Sequence, residues 1–195
     1  MKRSMLFITL AAILLSSCFL PDNYELTIDV QKNGSYTFTY EGEFNYAPAL
    51  EAEIKGEYND EAEEDLQEII VELKESEGFE SVKDLGKGKI KVEVKVEKDA
   101  DEDYFFLSKD LEYFAVKHND DNEMIITGFE MQDDEKASID EFNTRLEGKM
   151  TVLLPKKMKV SSHNADIKEK LDKKTMAYTW ELDYSSEKPE IIIKL

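Results

Sequence analysis

Among the side chains of this 195-residue sequence that could do chemistry are 44 Asp and Glu, two His and one Cys. Asp99, Asp101 and Asp103 repeat the one-three-five spacing of an EF-hand calcium loop. That loop needs Gly at its sixth position to turn and Glu at its twelfth to ligate. Tyr104 and Asp110 stand there instead, so a solvated connection is expected. His118 and His163 form no pair at helical spacing, and a zinc site would have to recruit carboxylates from distant segments. Carboxylate pairs for glycoside cleavage are too numerous among the acids to single one out. No Gly-x-Ser-x-Gly elbow, phosphate-binding Gly loop or dinucleotide fingerprint occurs. A non-catalytic protein without metal or cofactor is therefore expected. The single Cys, at position 18, also leaves no thiol for a disulfide, a nucleophile or a metal ligand in the rest of the chain.

The context of that thiol is more specific. Met1 to Ser4 carries Lys2 and Arg3 and no acid, and an apolar run from Met5 to Leu15 follows. The run has signal-peptide length and falls short of the roughly 20 apolar residues a spanning helix needs. Leu15, Ser16, Ser17 and Cys18 then match the lipobox of bacterial lipoproteins. There the thiol takes a diacylglyceryl group, and a peptidase cuts just before the cysteine. The small residues admit the extended backbone to that peptidase. Each buried CH₂ contributes about 0.8 kcal/mol, so two or three acyl chains hold where one is marginal. Residues 1–17 are expected to be a lipoprotein signal peptide, 18–23 the lipidated cysteine and a short linker, and 24–195 a single domain. The membrane, through this lipid, is the first expected partner, on the extracytoplasmic side. Phe19 rather than Asp after the cysteine fits an outer membrane if the host has two.

Removing Lys2 and Arg3 with the signal peptide takes the formal charge from −19 to −21. So acidic a chain repels nucleic acid and anionic lipid alike. Its acids alternate with apolar residues rather than forming one tail, which argues against disorder.

Tyr24, Leu26, Ile28 and Val30 alternate with polar residues, as do Tyr36, Phe38 and Tyr40. Asn33-Gly34 between them predicts a type I′ hairpin. Residues 44–58, broken by Pro48 and Gly56, are expected to be irregular. Ala62, Leu66, Ile69, Ile70 and Leu73 share one face of a helix over 60–76, with Asp60 and Glu63 as its capping box and Gly78 as its stop. Strands are expected over 90–96, 104–107, 113–116, 124–129, 150–154, 159–162, 175–183 and 190–195. A second, shorter helix is expected near 133–147. The fold class is α+β: a twisted antiparallel sheet with the main amphipathic helix packed on its apolar face.

Leu154-Pro155 at a strand end, His163-Asn164-Ala165-Asp166 in a turn and Trp180 on the next strand add a further pattern. With the opening hairpin, helix and meander, it resembles the LppM-like domain of bacterial lipoproteins, a domain of unknown function. The specific residues lie between Gly148 and Trp180. The resemblance implies an α+β domain at the cell envelope and supplies no catalytic residues. Many such relatives carry a transmembrane helix after the domain; none follows here before Leu195, so lipid alone is the expected anchor. Asn164 and Asp166 suit a turn and Trp180 a core anchor, with ligand contact as the alternative.

Tyr36, Phe38, Tyr40 and Trp180 either pack as core or line an apolar pocket that takes a lipid tail. The expected function is binding of an envelope protein partner, with a lipid or glycolipid carried between sheet and helix as the alternative. Replacing Cys18 with Ala is predicted to abolish lipid labelling and cleavage before residue 18, and to move the mature domain out of the membrane fraction. Metabolic acyl labelling with membrane fractionation checks this, and membrane partition equal to wild type would refute it.

Overall fold

The computed structural model describes residues 19–107, 109, 113–130, 136 and 146–195. The alternating hairpin forms β1 (Phe19–Val30) and β2 (Tyr36–Tyr46), with Val30 opposite Tyr36. Its loop is not type I′. Only Gly34 takes a positive φ, +91°. Its N–H donates to Gln31 O, and the Gln31 N–H to Ser35 O, which is a type I turn closed by a left-handed glycine. Asn33 Oδ1 accepts the Ser35 N–H instead.

β1 also begins earlier than the alternation suggests. Phe19 to Asp22 pair with Tyr46 to Glu43, and Phe19 and Leu20 are buried. The expected linker over 19–23 is thus the first part of the sheet. Pro21 is tolerated because the other neighbour of β1 joins only at Tyr24, so the missing N–H faces no partner strand.

Residues 44–58, expected to be irregular, hold the end of β2 and a short helix, α1 (Ala47–Lys55). Pro48 sits in its first turn and Gly56, at φ +69°, caps its end. The two residues that read as breakers are the helix's boundaries. The helix α2 (Asp60–Glu75) is capped by Asn59, not Asp60: Asn59 Oδ1 accepts the Glu61 and Ala62 N–H groups.

The remaining strands are β3 (Phe79–Gly86), β4 (Lys89–Lys98), β5 (Tyr104–Phe105), β6 (Ala115–His118), β7 (Glu123–Thr127), β8 (Gly148–Pro155), β9 (Lys159–His163), β10 (Ile167–Lys170), β11 (Thr175–Leu182) and β12 (Glu190–Lys194). β3 and β10 carry no clean alternation because each is a largely exposed edge strand. The expected helix near 133–147 lies almost wholly outside the described residues.

The class is α+β, but the sheet is not single. Seven strands run in the order β10-β11-β8-β1-β2-β4-β3, and five in the order β5-β6-β7-β12-β9. Among the described residues every strand pairing is antiparallel except β1 with β8, and the chain between those two strands is far longer than the dozen or so residues a parallel crossover needs. The two sheets share one core. Phe38 and Tyr40 from the larger sheet meet Tyr104, Phe106 and Phe114 from the smaller sheet's side at ring-centroid distances of 4.9 to 6.3 Å. The buried face of α2, Leu66, Ile69, Ile70 and Leu73, joins the same core.

Phe106 is fully buried and its ring touches those of Phe38, Tyr40, Phe44, Phe79 and Phe114. Phe106→Ala is predicted to destabilise the fold by about 3–5 kcal/mol, measured as a fall in the urea midpoint. A loss below about 1 kcal/mol would show that this ring does not join the two sheets.

Candidate functional site

The helix α2 ends where its last carbonyls meet a turn built on Gly78. At φ +82°, a Cβ on Gly78 would lie 2.3 Å from Val96 Cγ2. Only glycine lets the chain double back so closely. The Gly78 carbonyl accepts the Lys95 N–H at 2.8 Å, and Phe79 enters β3 beneath the helix.

This reversal leaves a cavity of about 280 Å³ between the C-terminal half of α2, the start of β3, the β5 segment and the first residue of β1. Phe19, Ile69, Leu73, Phe79, Phe105 and Leu107 supply apolar wall, together with the Tyr104 ring. Glu72, Ser76 and Glu77 stand around it. Burial, then the nearby Glu77, pushes the Tyr104 hydroxyl well above an ordinary tyrosine, so it stays protonated and uncharged. Lys98 pairs with Glu77 at 2.8 Å and lies 5.8 Å from the Tyr104 ring centre. The cavity has an apolar interior with charge held at its edge, at the lower end of the roughly 300–1,000 Å³ of ligand pockets. It suits part of one hydrocarbon chain and offers no convergent acid–base or nucleophile pair.

The aromatic rows expected either to line a pocket or to fill the core do the second. Tyr36, Phe38, Tyr40 and Trp180 are all buried and none borders the cavity. The Tyr36 hydroxyl donates to Glu102 O at 2.8 Å and that of Tyr40 to Glu43 O at 3.2 Å. The cavity residues escaped sequence reasoning because they come from three separate stretches of chain, at 19, 69–79 and 104–107. Phe19, directly after Cys18, was the one available signal.

Asn164 and Trp180 are brought together where the chain passes from β9 in the small sheet to β10 in the large one. Asn164 Oδ1 accepts the Trp180 Nε1–H at 2.9 Å and the Glu190 N–H at 2.8 Å. Its Nδ2 donates to Lys188 O at 2.8 Å. Asp166 Oδ2 accepts the Glu181 N–H at 3.0 Å. Asn164 thereby ties β11 of one sheet to β12 of the other, and its amide groups are directed at the protein rather than outward.

Leu15, Ser16, Ser17 and Cys18 lie outside the described residues. His118 and His163 stand on strands three places apart in the small sheet, with two other strands between them. Asp103 Oδ1 accepts the His118 N–H at 2.9 Å and lies 3.1 Å from His118 Nδ1. Among the described residues no group of three or more His, Cys, Asp or Glu is placed to hold a metal ion. No described helix is long and apolar enough to cross a membrane.

No family model matches the chain, and no curated protein does. Among solved structures, the chain is similar to the folded domain of the LppM protein of Mycobacterium tuberculosis, determined by NMR. The TM-score is 0.41 at 9 % identity, over 90 % of each chain. A likeness so distant carries no argument about function.

Asn164→Ala is predicted to cost about 1–2 kcal/mol, because it strips partners from two N–H groups and frees one carbonyl. Trp180 fluorescence should shift to the red in the folded variant. An unchanged spectrum and midpoint would show that the tie between sheets is not energetic. Desolvation, then Lys168, lowers the His163 pKa below 6.5, and its Nδ1 accepts the Ala165 N–H, which requires the neutral ring. The unfolded chain then binds the proton more readily, so this contribution is complete above about pH 6.5 and declines as pH falls toward the folded value. NMR titration of the ring should give a midpoint below 6.5.

Proposed function

We propose that this protein is a lipid-anchored, non-catalytic component of a bacterial cell envelope that takes one acyl chain of a membrane lipid into the cavity beside α2. The anchor rests on Leu15-Ser16-Ser17-Cys18 behind a basic, then apolar, segment of signal length. The observation that carries the ligand is the apolar cavity of about 280 Å³, with Phe19 in its wall. Phe19, the residue next to Cys18, contributes to its wall. The volume limits the ligand to part of a chain, since a hydrocarbon tail much longer than the cavity must leave its remainder outside.

A second reading, an envelope protein partner, is favoured by a different observation. β10 is the outermost strand of the large sheet and all four of its residues are exposed. Ile167 on it and Leu171 just beyond it are two of the large exposed apolar residues. An open edge beside apolar side chains is the geometry of strand addition. Lys168 and Lys170 on the same strand act against indiscriminate pairing.

Native mass spectrometry of residues 19–195 purified in mild detergent decides between them. An acyl-chain adduct is expected on the wild type and lost in Leu73→Trp, whose indole fills the cavity, with the unfolding midpoint changed by less than about 2 kcal/mol equivalent. No adduct on the wild type, or an adduct that survives Leu73→Trp, would reject the lipid reading. A recurrent crosslink from photoreactive residues at Ile167 or Leu171 in native envelopes would instead support the protein partner.

A further inference from the structure

We infer that the end of the domain formed by α1 and the β3–β4 turn lies directly against the bilayer that holds the Cys18 lipid. The inference rests on the lipid-anchor reading and adds an orientation to it. Phe19 is paired with Tyr46 and buried. The lipidated residue is one peptide step away, about 3.8 Å between Cα atoms. No free chain separates anchor from domain, so the end of the sheet that holds Phe19 must face the membrane.

That end has the surface such a position requires. Tyr46, opposite Phe19, leads straight into α1, and its N–H donates to Gly88 O at 2.7 Å. The β3–β4 turn therefore sits at the same end. A Cβ on Gly88 would lie 2.7 Å from Ala49 Cβ, so α1 rests on the turn. Ile54 on α1 and Leu85 beside the turn are 53 % and 50 % exposed. The acids of α1 are partnered locally. Glu51 and Glu53 are answered by Lys55, Lys87 and Lys89, with Lys55 paired to Glu51 and Lys87 to Glu53. Exposed aliphatic side chains next to lysines match an interfacial contact. The β1–β2 loop, at the far end of a 12-residue strand, stands about 36 Å away.

The test uses the lipidated protein with bimane on Ile54→Cys, Leu85→Cys or Lys32→Cys, reconstituted in phosphatidylcholine–phosphatidylglycerol vesicles that carry nitroxide on their headgroups. Quenching should be several-fold stronger at positions 54 and 85 than at 32. A flexible Gly/Ser segment of about ten residues inserted between Cys18 and Phe19 should reduce that contrast. Equal quenching at all three positions, or a contrast indifferent to the insertion, overturns the orientation while leaving the anchor intact. If intact mass shows no acyl groups on Cys18, the anchor reading itself fails and the orientation with it.

Discussion

The constraint that organises this protein is an apolar sheet face too wide for its helix. Seven strands at their usual spacing span about 29 Å, whereas a helix with its side chains covers a stripe about 10–12 Å wide. α2 covers the part near β3 and β4. The rest, lined by Leu26, Ile28, Phe38, Tyr40, Val152 and Trp180 among others, must be closed by something else. The five-stranded sheet does so, supplying Phe106, Phe114, Val116, Met124, Ile126, Ile191 and Ile193 to the same core. Interleaved rings suit this seam, since each buries a large area and holds its neighbours in tilted or edge-on contact.

Two sheets on one core require the chain to cross between them, and buried or well-bonded polar groups hold the crossings. From β8 the chain passes to β9, back to β10 and β11, and over again to β12. Asn164 sits at the corner after β9 and bonds to both sheets. Asp22 does similar work at the other end. Its Oδ1 accepts the Glu147 N–H at 3.1 Å, just before β8, and its Oδ2 accepts the Asn45 Nδ2–H at 3.2 Å. It lies at the register shift in β1, where Asn23 takes φ +46°. A Cβ on Gly148 would lie 2.1 Å from the Tyr24 ring, so the parallel partner of β1 begins with the one residue that fits there.

The cavity is a consequence of the same mismatch. It lies where the helix stops covering the large sheet and the short β5 segment begins. Two covers of different shape meet there without closing. Phe19 enters this seam because β1 begins at that residue.

Local patterns revealed much of this. Alternation along 24–30, 36–40 and 90–96 placed three central strands, because each has one face in the core and one in water. The helix face at Leu66, Ile69, Ile70 and Leu73 was equally plain. Edge strands β3 and β10 were missed because exposure on both faces erases the period of two. Pro48 and Gly56 misled because the same residues that interrupt a helix also begin and end one. A lipobox-type match at 15–18 is a local pattern and needs no tertiary partner to be read.

What the sequence determined by itself was therefore the α+β class, the acidic character and the residues with one apolar face. The tertiary structure alone decided that there are two sheets, that β1 and β8 run parallel, and that residues 19–23 belong to the domain. It alone gathered Phe19, Leu73, Phe79 and Tyr104 around one cavity. Periodicity records which face of an element avoids water; it does not record which distant element covers that face.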